Sequence, residues 1–129
     1  GLEIRDLSAE KIEMLFNEIE KRAATIATSA KISIRFIRHD NVPKPALTDK
    51  GLQTIIAVAS KAMGFTTRFM QSGAGHDSQE MALIAPVGMI FIPSIGGISH
   101  SPKEFSKAGD IANGANVLLQ TILKLDKEQ

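Results

Sequence analysis

Two prolines within the run HDNVPKP, from His39 to Pro45, divide this chain more sharply than any other feature. Each removes a backbone donor and fixes φ, and the residue before it is pushed out of the helical region. No helix or central strand runs through such a stretch, so the apolar residues on its two sides fold as separate pieces. Ahead of it, residues 2–7 alternate as a half-buried strand does, with Leu2 and Ile4 opposite Glu3 and Arg5. Ser8 then caps a helix whose Ile12, Leu15, Phe16, Ile19, Ala23 and Ile26 form one apolar stripe, with Glu10 at its positive end. Residues 32–38, ISIRFIR, alternate again. The first piece therefore reads as strand, helix, strand, and it wants a larger sheet.

Behind the break, Thr48 is a candidate cap for a helix carrying Leu52, Ile55, Ile56, Ala59 and Met63, ended by Gly64. Residues 65–70 alternate as a strand, and a short helical piece follows around Ser78–Ile84. The apolar run Val87–Pro93 predicts a buried strand, and a last helix spans roughly 109–126 with Ile111, Ala115, Leu118, Ile122 and Leu125 on one face. Helix and strand alternate throughout, which makes the expected fold class α/β.

Composition removes several function classes. A chain of 129 residues with 43% hydrophobic and 22% charged residues is ordinary globular material. Its formal net charge of +1, with no block of like charges, gives no electrostatic purchase on nucleic acid or an anionic membrane. There is no cysteine, hence no disulfide and no thiolate metal site, and the default compartment is the cytoplasm. No apolar run approaches the length of a membrane span. The opening Gly1-Leu2-Glu3-Ile4 lacks an initiator methionine and starts on a strand-like pattern, as expected of a cut from a longer chain.

Three places carry possible chemistry. In SGAGHD, residues 72–77, Gly73 and Gly75 free the backbone for positive φ and for close approach by another group. Such a turn presents N–H groups to an anion, or it is a plain strand-to-helix turn with Asp77 as N-cap, which is the commoner case. It is no dinucleotide fingerprint, because the third glycine is absent. In GGISHSP, residues 96–102, His100 stands just past the apolar run with Pro102 stiffening the exit. Neutral imidazole is a common metal ligand, yet a lone histidine is more often a surface or capping one. A catalytic zinc site also wants about three protein ligands. Arg5 lies on the polar face of the first strand, where a guanidinium either clamps a carboxylate or is simply solvated. Arg35 and Arg38 have no better claim than solvation.

The string SGAGHDSQEMALIAPVGMIFIPSIGGISHSPKEFS, followed by DIANGANVLLQ, closely resembles the C-terminal end of a particular enzyme group. These are the N-carbamoyl-L-amino-acid hydrolases, allantoate amidohydrolases and β-ureidopropionases, within the aminoacylase-type dinuclear-metal amidohydrolases. LEIRDLSAEKIEMLFNEIEKRAATIA is similar to the last half of that group's lid, or dimerisation, domain. The resemblance implies that residues 1–40 are a βαβ piece of a ferredoxin-like lid. Residues 41–129 are then the C-terminal α/β part of a zinc-exopeptidase-like catalytic domain.

It also implies roles. His100 matches a metal-binding histidine. Arg5 matches the lid arginine that holds the substrate carboxylate, often in the partner subunit's site. Gly73 and Gly75 match a backbone contact to substrate, and His76 and Asp77 match supporting positions. The group's other metal ligands and its glutamate base match nothing in this chain. A homodimeric parent with two divalent ions (zinc, manganese or cobalt) is the expected context, and the metal site here is expected to be incomplete. The parent is then a hydrolase of linear C–N bonds in N-carbamoyl or ureido acids, and the isolated chain is expected to be inactive. The other readings are a non-catalytic dimerisation or ligand-binding module, and an aminoacylase- or peptidase-type metallohydrolase.

Overall fold

A computed structural model describes residues 1–39 and 44–127. The expected linker at HDNVPKP falls partly on residues 40–43, which lie outside the described residues. Among the described residues four α-helices run in the order α1 (Ala9–Ala30), α2 (Lys50–Ala62), α3 (Ser78–Met81) and α4 (Ala108–Lys127), with a 3₁₀ turn at Ile95–Gly97. The chain separates into two compact units, one of residues 1–47 and 71–84, the other of residues 48–70 and 85–129.

In the first unit, Ser8 caps α1 through its hydroxyl, which accepts the N–H of Lys11 at 3.3 Å. Lys31 ends the helix in the left-handed region, and the N–H of Ile32 returns to the carbonyl of Ala27 at 3.0 Å. The half-covered stripe consists of Ile12, Phe16, Ile19, Ala23 and Ala27, while Leu15 and Ile26, expected on the same stripe, face outward. Residues 32–38 come back along this helix. Phe36 meets the Phe16 ring edge-on at 5.5 Å, and Arg38 lies 3.9 Å above that ring while bonding both oxygens of Glu13 at 3.1 Å. Arg38 is thus engaged rather than merely solvated.

In the second unit α2 packs on α4. Ala59 of α2 and Val117 of α4 are the buried apolar residues among those described in this unit. The buried hydroxyls of Ser60 and Thr121 donate to the carbonyls of Ile56 and Val117 one turn earlier, so neither hydroxyl is stranded. The N-cap of α2 is Asp49, not Thr48. The Asp49 carboxylate accepts the N–H of Leu52 at 2.8 Å, and the Thr48 hydroxyl instead takes the side-chain amide of Gln53. Asp carries a full charge to the helix start, which decides between two adjacent capping residues. Gly64 follows the helix with φ +80°, as its expected stop role requires.

The alternating segments are where expectation and structure part. No strand forms among the described residues at 2–7, 32–38, 65–70 or 87–93. Alternation only sorts side chains between two faces; a strand also needs neighbouring backbone to share a ladder. Residues 32–38 have a helix for a neighbour, and a helix has no free N–H and C=O rows to offer. The apolar run 87–93, expected as a buried strand, instead lays its residues against the two helices of its unit. Gly88 lies on Leu52 and Ile56 of α2, and Ile92 presses on Gly114 of α4, where a Cβ would sit 2.5 Å from its Cγ2. On the opposite side Val87 and Met89 are only half-buried and Phe91 is 47% exposed, so this run is not the buried strand its composition predicts. Gly88, Ile90 and Ile92 with Ile56, Leu118 and Ile122 line an apolar cavity of about 540 Å³. The βαβ arrangement is likewise not formed by the described residues.

Candidate functional site

In the first unit Arg5 reaches across 68 positions of sequence to residues 71–77. Its Nη1 donates to the carbonyl of Gly73 at 2.6 Å. Its remaining edge is held by Glu3, whose Oε1 accepts from Nε at 2.8 Å and lies 2.6 Å from Nη2. A guanidinium carries five donors in a planar fork, so one edge can hold a carbonyl while another holds a carboxylate. Both Arg5 and Glu3 are more than half exposed, so their ion pair by itself adds little stability.

The turn that offers Gly73 is tied from within. The Ser72 hydroxyl lies 2.6 Å from His76 Nε2 and accepts the N–H of Ala74 at 3.2 Å. Gln79 accepts the N–H of His76 through Oε1 at 3.1 Å and donates through Nε2 to the carbonyl of Lys44 at 3.0 Å. His76 thus ties the turn from both sides. Asp77 stands at the start of α3 in helical geometry, with no side-chain capping bond to that helix.

The expected positive φ at Gly73 and Gly75 is not found; the glycines in the left-handed region are Gly64, Gly96 and Gly97. A Cβ on Gly73 would meet nothing within 4 Å, so that position leaves open space beside its carbonyl. At Gly75 a Cβ would touch the Gln79 side chain at an ordinary 3.5 Å. Neither position therefore needs glycine for a left-handed backbone or for want of space within this chain.

His100 belongs to the second unit, in a loop closed at its base by the N–H of Ile95 on the carbonyl of Phe105 at 2.8 Å. Gly96 and Gly97, with φ of +69° and +66°, carry the chain through the first bend. The Ser94 hydroxyl donates to the carbonyl of Ile98 across that bend at 2.6 Å. His100 itself has φ +54°. For a residue with a Cβ that conformation costs about 1–2 kcal/mol. Its N–H donates to Glu104 Oε2 at 2.8 Å, and its imidazole is exposed, with no hydrogen bond among the described residues.

The described residues contain no group of three or more metal-ligating side chains. One exposed imidazole does not make a metal site, so no chemical step is assigned to a metal from these residues. Nor is any described helix long and apolar enough to cross a membrane.

Three participants escape a reading of sequence alone: Glu3, Ser72 and Glu104. Each had a local signal. Glu3 is two residues from Arg5 on the same face of an alternating segment. Ser72 is four residues from His76, and Glu104 follows a Ser-Pro turn four residues after His100.

Comparison with known proteins gives this arrangement its context. Residues 5–124 match the model of peptidase family M20/M25/M40. The chain is 38% identical over 124 residues to the ureidoglycolate hydrolase of Arabidopsis thaliana, covering 96% of this chain and 26% of that protein. It is 37% identical over 124 residues to the N-carbamoyl-L-amino acid amidohydrolase of Geobacillus stearothermophilus, covering 96% of this chain and 30% of that one. With the allantoate amidohydrolase of Bacillus subtilis it shares 38% identity over 82 residues, 64% of this chain and 20% of the relative. The crystal structure of AtUAH in complex with (S)-hydroxyglycine superposes with a TM-score of 0.79 at 38% identity, over 93% of this chain and 28% of that one. The chain therefore spans less than a third of the length of these relatives.

Proposed function

Because the chain belongs to peptidase family M20/M25/M40, we propose that it is part of a metal-dependent hydrolase cleaving a linear C–N bond in an N-carbamoyl or ureido acid. The relatives named for ureidoglycolate, N-carbamoyl-L-amino acid and allantoate substrates all favour a small acid carrying a nitrogen–carbonyl group. The observation that carries the reading is the contact of Arg5 with Gly73 at 2.6 Å, since it joins two residues, 68 positions apart, to which the same family resemblance gives substrate contacts.

In this reading Arg5 holds the substrate carboxylate. The edge of its guanidinium now engaged by Glu3 is the edge a substrate carboxylate takes, while Nη1 stays on Gly73. The (S)-hydroxyglycine bound in the AtUAH structure, a small molecule with one carboxylate, fits such a role. Gly73, and with it Gly75, keeps the backbone of the turn clear for substrate. Ser72, His76 and Asp77 hold that turn in place. His100 supplies one imidazole to a divalent ion of a metal pair (zinc, manganese or cobalt) whose other ligands are not among the described residues. Residues 1–40 are then the end of a lid or dimerisation domain, residues 41–129 the end of the catalytic domain, and the whole enzyme a homodimer. The 129 residues alone are inactive.

Ammonia release is the test. A full-length protein containing this sequence, supplied with manganese, zinc or cobalt, is expected to release ammonia from at least one N-carbamoyl-L-amino acid or ureido acid. Silence on all of them overturns the proposal. Turnover by the isolated chain removes the claim that it is inactive. Arg5→Lys keeps the charge but loses the planar fork, and KM is expected to rise about ten- to a hundredfold, as for a charge-assisted pair worth about 1.5–3 kcal/mol. An unchanged KM takes Arg5 out of the substrate site.

A further inference from the structure

Among the described residues other than glycine, only Lys31 and His100 have positive φ. The first is explained by its place at the end of α1, where a left-handed residue is the ordinary way to satisfy the last carbonyls. No helix ends at His100. What surrounds it is a tight turn. Pro102 occupies the second position of the turn Ser101–Glu104, the N–H of Glu104 bonds the carbonyl of Ser101 at 2.9 Å, and the Ser101 hydroxyl accepts the N–H of Lys103 at 3.3 Å. That turn brings the Glu104 carboxylate back to the N–H of His100 at 2.8 Å.

We infer that Glu104 is a positioning residue for His100: its carboxylate holds the backbone of His100 in the left-handed conformation and so sets the direction in which the exposed imidazole points. The inference rests on the proposed reading of His100 as a ligand, and it assigns no ligating role to Glu104. A charged acceptor on a backbone N–H is stronger than a neutral one, which suits a residue held in an unfavoured conformation. The neighbouring Ser-Pro turn supplies the geometry, and Glu104 supplies the restraint. Groups that orient a ligand typically change metal affinity by about ten- to a hundredfold when removed.

Two measurements on the full-length protein test this. The first is hydrogen exchange at the His100 amide, which needs neither metal nor activity. Glu104→Ala is expected to speed it about tenfold or more, whereas Glu104→Gln, which retains an acceptor oxygen, stays within about threefold of the parent. Unchanged exchange in Glu104→Ala overturns the inference. The second is divalent metal retained after equilibrium dialysis against manganese or zinc. Glu104→Ala is expected to weaken retention about ten- to a hundredfold, Glu104→Gln to restore most of it, and Glu104→Ala to add nothing in a His100→Ala background. Loss of metal in His100→Ala with full retention in Glu104→Ala overturns this inference alone. Full retention in His100→Ala overturns the reading of His100 as a ligand, and this inference with it.

Discussion

The two units of the chain are held together by different means. In the second, apolar surface does the work: α2 packs on α4 with Ala59 and Val117 buried, and the 87–93 run lays Gly88 onto α2 and Ile92 onto α4. In the first, no residue of α1 is buried, and the segments are joined by pairwise ties. Phe36 and Arg38 hold residues 32–38 to the helix, and Arg5 holds residues 71–77. The difference teaches where tolerance lies. Packing fails when volume changes by a methyl group, whereas exposed ties are individually weak and separately removable. The role proposed for Arg5 suits the second class, because a substrate-binding arginine has to exchange one partner for another.

Substitutions can break this contrast. Gly114→Val should have the largest effect, since even a Cβ there stands 2.5 Å from Cγ2 of Ile92, a branched side chain that cannot swing aside freely. Overpacking of this kind costs about 1–3 kcal/mol, read as a lower urea midpoint. A midpoint equal to the parent's means that the 87–93 run is not pressed on α4. In the first unit Phe16→Leu removes the ring pair with Phe36 and the surface under Arg38, for a loss of about 1 kcal/mol. A loss as large as that of Gly114→Val would mean that this unit, too, is held by packing. Arg22→Gln takes away an exposed pair with Glu18 one turn apart on α1 and is expected to cost about 0.3–0.5 kcal/mol at low salt, less at high salt. Any larger effect sharpens the contrast by showing that surface ties on α1 act together.

Much of the helical framework was determined by sequence alone. Ser8 and Gly64 mark ends that local chemistry dictates, and the three- and four-residue spacing in α1, α2 and α4 needs no partner to be recognised. Helices satisfy their own backbone, so a local pattern suffices. The extended segments were a different matter, because a strand depends on a neighbour that the sequence does not name. Alternation in residues 32–38 told which side chains share a face, and tertiary structure put a helix there instead of a second strand.

The same division runs through the candidate site. The types and positions of Arg5, Gly73, His76 and His100 could be singled out from motif and chemistry. That Arg5 bonds the carbonyl of Gly73, that Glu3 holds its other edge, and that Gly73 lacks positive φ were all decided in three dimensions. The left-handed backbone of His100, with Glu104 on its N–H, was decided there as well, although every residue of that turn lies within five positions of sequence. Local sequence fixes which turns and helices are cheap to form; which carbonyl an arginine finds, and which way an imidazole is turned, depends on contacts that exist only once the chain has closed on itself.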